Sequence, residues 1–270
     1  MSRVPDWVAA ARAAAQRPPQ QPRQPLWVQG QVVGSVADGV LSQIASGFLS
    51  DLGFVLSNEE FAGQPIWHLR GPGEATGALN RLAQALRSAG QCGPWRNEQL
   101  AVWAPGSQRL GTIERGAVRP LGLATRAVHL VAWAPDGAMW VQQRAWDKPN
   151  NPGMWDTLMG GMVSAQDDLP QALARETWEE AGLEVGRLQQ LRHGGHVDFA
   201  QPSDEAQGCG YMVERIDWFA AQVPEGLVPV NQDGEVARFE RLAREALLQR
   251  LAQGAFTPEA SLVLAAALGW

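Results

Sequence analysis

Apolar positions along the chain change period several times, and those changes outline its elements. An Ala-rich stretch at about residues 5–16 has helical spacing and gives way to the extended, proline-rich "QRPPQQPRQP". From "LWVQGQVVGSV" the pattern is strand-like around a Gly-containing turn. "GVLSQIASGF" and "ATGALNRLAQALRSAG" return to helical spacing, the second stopping at Gly90. "FVLS" and "PIWHLR" between them read as strands, and "QLAVWAP" and "RLGTIER" as a further pair about "PGSQ". This pattern predicts an α+β unit ending around residues 118–124, without a catalytic cluster of its own.

The second half opens with "RAVHLVAWAPDGAMWVQQRA", two β-rich runs about "PDG" that predict a hairpin. "NNPGMWDTLMGGMV" reads as loop and short strand, and "RHGGHVDF" and "CGYMVERIDWFAAQV" as later strands. "RFERLAREALLQRLAQG" carries the spacing of an amphipathic helix. A last helix, "TPEASLVLAAALG", has Thr257 as N-cap and Pro258 at the first helical position.

Between these runs lies "GGMVSAQDDLPQALARETWEEAGL", residues 160–183. Asp167 or Asp168 can cap a helix here, Pro170 is tolerated in its first turn, and Gly182 can end it. Leu169, Ala172 and Leu173 share one face, and that face continues into Glu176, Glu179 and Glu180. Like charges at this spacing cost an isolated helix about 0.2–0.5 kcal/mol per pair. They also gain nothing from the helix dipole at a C-terminal end. Arg175, four residues before Glu179, can neutralise part of the charge. A solvated acidic helix end is the plain reading. A divalent cation is the reading that explains why acids extend an apolar stripe. Carboxylate oxygens suit Mg²⁺ or Mn²⁺, and Mg²⁺ usually shares such ligands with water and substrate phosphates, which points to phosphoanhydride chemistry.

Composition narrows the setting. The 270 residues allow one large domain or two ordinary ones. A net charge of −6 disfavours non-specific binding to nucleic acid or acidic membranes. Cys92 and Cys209 lack metal or redox spacing and read as ordinary thiols of a reducing compartment. Asp6 and Arg12 interrupt any leader-like apolar run, and no stretch is long and apolar enough to span a membrane, so a soluble, cytoplasmic protein is expected. Of the 22 basic residues, Lys148 is the only lysine, which draws attention to "RAWDKPNNPGMWD".

Gly161, five residues, Asp167, seven residues and then "RETWEEAGL" resemble the Nudix box. Gly161, Arg175, Glu176, Glu179, Glu180, Gly182 and Leu183 match it, whereas Asp167 replaces a glutamate and Thr177 fills a hydrophobic slot. The resemblance implies a Nudix α/β/α sandwich with a mixed sheet (residues 121–270), preceded by a smaller α+β domain (26–120) and an N-terminal helix with its proline-rich arm (1–25). It implies Glu176, Glu179 and Glu180 as metal ligands, Arg175 as the residue that positions a glutamate, and Gly161 as the allowance for the loop-to-helix turn. A further acidic ligand or base is implied from a later loop; Glu235 in "NQDGEVARF" is the candidate, with Asp204 and Glu205 as weaker competitors. "WRNEQLAVW" and "IERGAVRPLGLATRAVHLVAW" extend the likeness to a subgroup related to the Nudix part found beside thiamine pyrophosphokinase. Its implied substrates are thiamine diphosphate and oxidised derivatives, cleaved to monophosphate and phosphate.

The resemblance leaves alternatives open: a nucleotide-type diphosphate such as ADP-ribose or NADH, or a Nudix-fold sensor that binds without cleaving. Isopentenyl diphosphate isomerase is similar in fold but uses a cysteine before the helix, where "MWDTLMGGM" has none. Arg144, Lys148 and Asp156 stand just before the box, and the basic pair could meet substrate phosphates; a structural ion pair with Asp147 or Asp156 is the alternative. Trp155 is the indole best placed to stack on a heteroaromatic ring. His129 alternates with apolar residues and reads as a core histidine, while His193 and His196 argue only weakly for a ligand role. Trp95, Arg96 and Glu98 could face a cleft shared by the two halves. The partner expected is a small-molecule diphosphate, with room left for a homodimer.

Overall fold

The computed structural model describes residues 4–45, 53–106 and 108–270. Helix α1 (Asp6–Ala14) is followed by β1 (Arg23–Val28), β2 (Gln31–Ala37), α2 (Ser42–Ala45), β3 (Val55–Phe61), β4 (Gln64–Arg70) and α3 (Thr76–Ser88). The four strands form a sheet of order β2-β1-β4-β3 in which β1 and β4 run parallel. The end of the predicted helix "GVLSQIASGF" and Ser107 of "PGSQ" lie outside the described residues. Strands β5 (Gln99–Trp103) and β6 (Arg109–Glu114) form their own antiparallel pair.

The second half contains β7 (Ala124–Trp133), β8 (Met139–Arg144), β9 (Trp155–Asp156), β10 (Met159–Met162), α4 (Leu169–Ala181), β11 (Gln189–Ser203), α5 (Glu205–Gly208), β12 (Gly210–Gln222), β13 (Val236–Leu242), α6 (Arg244–Ala252) and α7 (Pro258–Ala267). They build a mixed sheet of order β11-β12-β7-β8-β13, with β10 on β7 and β9 on β8. Strand alternation gives β7 two buried faces. Val128, Leu130 and Ala132 pack against Leu158, Ala172 and Leu173 beneath α4. Ala127 and Val131 belong to the opposite core with Leu247, Val263 and Leu264 of α6 and α7. Each fully buried Leu contributes about 1.5–3 kcal/mol relative to an exposed one. The result is helix, sheet, helix, the expected sandwich behind an N-terminal sheet.

The core on the α7 side runs without a break into the N-terminal half, through Leu26, Leu69, Leu82, Ile113 and Leu121. Backbone meets backbone at the seam: a Cβ on Gly34 would lie 2.4 Å from the Leu121 carbonyl oxygen. Helix α1 docks on the second half, where Trp7 meets Trp270 edge to face and Arg12 donates to the Trp270 carbonyl at 2.6 Å.

One sequence expectation is corrected. "RFERLAREALLQRLAQG" is not a single helix; its first part is β13, paired antiparallel with β8, and only its second part is α6. Helical spacing is present, but the open edge of β8 supplies backbone partners that override it, and extended Ala243 (ψ 154) separates the two elements. Caps behave as read: Asp168 and Gln171 form a capping box on α4, Gly182 ends it at φ 61, and Thr257 Oγ1 accepts from the Ala260 amide.

Thr177, in the box position that ordinarily holds an apolar residue, is fully buried and its hydroxyl has no partner. Replacing it with the isosteric Thr177→Val should leave the fold intact and raise unfolding free energy by about 1 kcal/mol in urea titrations. A loss of stability would mean that the hydroxyl is satisfied in solution.

Candidate functional site

The C-terminal half of helix α4 keeps Thr177 and Ala181 buried and presents a neighbouring face as one wall of a cavity of about 290 Å³. Leu173 is buried against the sheet, whereas Glu176, Glu179 and Glu180 on the same stripe line the cavity. Strand β10 forms the adjoining wall. Its two glycines lie at close approaches: a Cβ on Gly161 would sit 2.0 Å from the Glu176 carboxyl carbon, and one on Gly160 would meet the His129 ring at 2.7 Å. Gly161 thus lies within a strand ahead of α4 and not at the loop-to-helix turn expected of it.

Arg175 ties these walls together. Its guanidinium donates to Asp167 (2.8 Å), Glu176 (2.9 Å), Glu179 (3.0 Å) and the Met162 carbonyl (3.1 Å). Asp167 therefore reaches the arginine despite its short side chain. Burial opposes the charge of Arg175, but the carboxylates around it outweigh that effect and hold its pKa above the ordinary value. Glu180 is 3% exposed and accepts from the Gln142 amide (2.8 Å) and the Gly160 N–H (3.0 Å). Burial pushes Glu180 up to about 8 and Glu176 to about 7. Glu259, at the start of α7, is likewise driven to about 7 by burial, with Glu214 and Asp156 adding to it.

The other predicted residues converge on this cavity with one exception. Arg144, Lys148, Asp156, Gly161, Arg175 and Glu235 all line it. Lys148 donates to Glu235, a partner neither Asp147 nor Asp156 had suggested, while Arg144 approaches Asp156 at 3.7 Å. Burial would raise Glu235, yet Lys148 foremost, then Arg115 and Arg144, hold its pKa below the ordinary value. Trp155 is the exception: its indole is buried in the core under Arg238 and Arg250, at 5.2 and 4.4 Å, and does not line the cavity. Sequence spacing placed it near the box but could not reveal that two arginines cover its ring. His129 is a buried core histidine held by Thr157 at 2.9 Å, although one edge reaches the cavity. His193 and His196 pair with Asp217 and Asp198 away from it. Glu98 lines this cavity and Arg96 the neighbouring one, whereas Trp95 lines neither.

Sequence reasoning missed Arg115, Arg119, Glu214 and Glu259. The first two lie four apart in "ERGAVRPLG", whose other members are buried in the structure, a context that the sequence does not announce.

Charge decides what the cavity can hold. Nine carboxyl groups line it against five arginine and lysine side chains. Among the described residues no three acids already surround a common point. Glu176 and Glu179 rest instead on Arg175. The donor set nonetheless fits a hard divalent cation: oxygen-only, acidic in excess and carried on one helix.

The sequence of this chain matches known proteins. Residues 123–262, just over half of the chain, match the NUDIX domain model. The chain belongs to the Nudix family. It is 34% identical to an uncharacterized Nudix hydrolase of Pseudomonas aeruginosa over 39% of this chain and 62% of that protein. It is 26% identical to a chloroplastic protein of Arabidopsis thaliana, Nudix hydrolase 24, over 80% of this chain and 58% of that one. An isopentenyl-diphosphate Delta-isomerase of Rhodobacter capsulatus is 29% identical over 56% of this chain and 80% of its own length. The chain thus spans less than two thirds of the length of the two Nudix hydrolases.

Raised carboxyl groups make the metal-free protein sensitive to alkali. An unfolded Glu ionises near 4.5, while Glu176, Glu180 and Glu259 retain protons in the folded state to about 7 or 8. The unfolded state therefore binds fewer protons over this window, and stability falls as pH rises through it. Thermal melts in chelator should show melting temperature falling from pH 5 to pH 8, and the fall should be smaller in Glu180→Gln. Equal pH dependence in parent and variant would refute the assignment.

Proposed function

We propose that this chain hydrolyses a diphosphate linkage in an X-linked small molecule, using a divalent cation held by Glu176, Glu179 and Glu180. The observation that carries the reading is the excess of acid in the cavity. A diphosphate, itself an anion, would be repelled by those carboxylates; with a cation between them both charges are offset. When bound, Mg²⁺ or Mn²⁺ supplies polarisation of the phosphoryl oxygens and a lowered pKa for attacking water.

The chain's own residues divide the remaining work. Arg175 holds Glu176 and Glu179 at the cavity wall, where they would serve as ligands. Lys148 and Arg144 are the cations at the cavity's loop side and grip the phosphates, Lys148 as a mobile point charge and Arg144 as a fork fixed near Asp156. When Lys148 turns to a phosphate it releases Glu235, whose pKa then rises and which can take the proton from attacking water. Gly161 keeps β10 clear of Glu176. The retention of all three glutamates in one cavity favours catalysis over mere ligand sensing. No cysteine lines the cavity, which counts against an isomerase chemistry that needs one.

The subgroup resemblance names thiamine diphosphate and its oxidised derivatives as the narrower substrate class, and nucleotide diphosphates stand beside it. A cytoplasmic setting is part of the reading; it rests on two free cysteines and on the absence, among the described residues, of a helix long and apolar enough to cross a membrane. Phosphate release with Mg²⁺ should be measured on thiamine diphosphate, oxothiamine diphosphate, ADP-ribose, NADH and dinucleoside polyphosphates. Glu179→Gln and Glu180→Gln should each lower turnover of the preferred substrate about 10²-fold or more while melting cooperatively. Near-parental turnover in both would end the hydrolase reading. A clear preference for a nucleotide would end the thiamine one.

A further inference from the structure

Beside the carboxylate cavity lies a larger one of about 490 Å³, and the two share Arg115, Arg119, Asn150, Asn151, Met162 and Glu259. The two arginines come from the segment after β6, outside the residues that match the family domain. Their placement is built rather than incidental. Glu114 is 1% exposed and its carboxylate accepts from the Arg96 N–H (2.7 Å) and the Gly116 N–H (3.4 Å). The Gly116 carbonyl accepts from Gly93, and a Cβ on Gly116 would lie 2.8 Å from the Pro94 carbonyl oxygen. This turn fixes Arg115, whose own N–H donates to the Glu98 carbonyl at 2.8 Å. Arg119 is held from the other side, its carbonyl accepting from the Tyr211 amide at 2.9 Å.

Each guanidinium is only partly used. Arg115 donates one bond to Glu98 (2.7 Å), and Arg119 one to Glu214 (3.0 Å). The Nη1 of Arg119 is buried and has no partner. An anion that the guanidinium meets by a small shift would give this donor the acceptor it lacks. A phosphate oxygen suits both a guanidinium and a neighbouring hard cation.

We infer that Arg115 and Arg119 clamp the substrate's diphosphate at the junction of the two cavities, so that the N-terminal half completes the binding site of the Nudix half. This rests on the hydrolase reading above and adds to Lys148 and Arg144 a second pair of cations for the phosphates. The family domain contributes most of the acids together with Arg144, Lys148 and Arg175; the segment before it adds Arg115 and Arg119, along with Glu98. The larger cavity beyond, with Arg96, Gln201 and Ser203 on its walls, is the space left for the organic group.

Titration calorimetry on the full chain tests the clamp with methylenediphosphonate, a diphosphate that cannot be hydrolysed, in the presence of Mn²⁺. Arg115→Ala, at a half-exposed side chain, and Arg119→Lys, which keeps a cation beside Glu214, should each weaken diphosphonate binding about tenfold or more. Mn²⁺ uptake measured alone should be unchanged, and so should diphosphonate binding by Arg187→Ala, an exposed arginine outside both cavities. Cooperatively melting Arg115→Ala and Arg119→Lys proteins that bind the diphosphonate as the parent does would overturn the clamp. A parent that takes up Mn²⁺ but not the diphosphonate would overturn the clamp and leave the metal reading standing. A parent that takes up neither would overturn both.

Discussion

The Arg175 guanidinium is the contact on which the rest of the site depends. A lone carboxylate taken out of water costs several kcal/mol, and helix α4 brings three of them to the edge of the core. One arginine touching Asp167, Glu176, Glu179 and the Met162 carbonyl makes that arrangement tolerable, and at the same time pins the helix to β10. It cannot neutralise them all. Glu180 relies instead on the dipoles of Gln142 and the Gly160 N–H, which is why burial still lifts its pKa so far. A bound cation would favour the ionised form of these raised carboxyl groups, which is the physical basis for proposing one here.

Seen this way, the apolar stripe that ends in acids has a geometric cause. Helix α4 stays packed on the sheet along its length, with Ala172, Leu173 and Ala181 in one core with Val128 and Leu130. Glu176, Glu179 and Glu180 flank that buried face in the last turns, where the cavity begins. The glycines of β10 complete the design, since any larger residue at Gly161 would occupy the volume the Glu176 carboxylate fills.

The N-terminal half is joined to this layer by more than a linker. Its core is continuous with that of α6 and α7, α1 crosses over to Trp270, and the turn after β6 presents arginines to the cavities. Such a seam couples folding of the two halves. A boundary near residue 120 is proposed on sequence grounds; the glycines on either side of it, Gly116 and Gly122, lie where backbones approach too closely for a side chain.

Local chemistry in the sequence was enough to define α4, its caps and the shared face of Glu176, Glu179 and Glu180, because helical spacing and capping act within a few residues. The PDG hairpin and the Thr257 cap were legible for the same reason. Tertiary structure decided everything that depends on distant partners. It turned "RFERL" into a strand by offering the edge of β8, covered Trp155 with Arg238 and Arg250, and gave Lys148 to Glu235, 87 positions away. It also carried Arg115 and Arg119 to a cavity that no periodicity announces. Spacing determines which way a side chain faces on its own element, whereas burial, charge balance and partner choice are set by segments that meet only when the chain is folded.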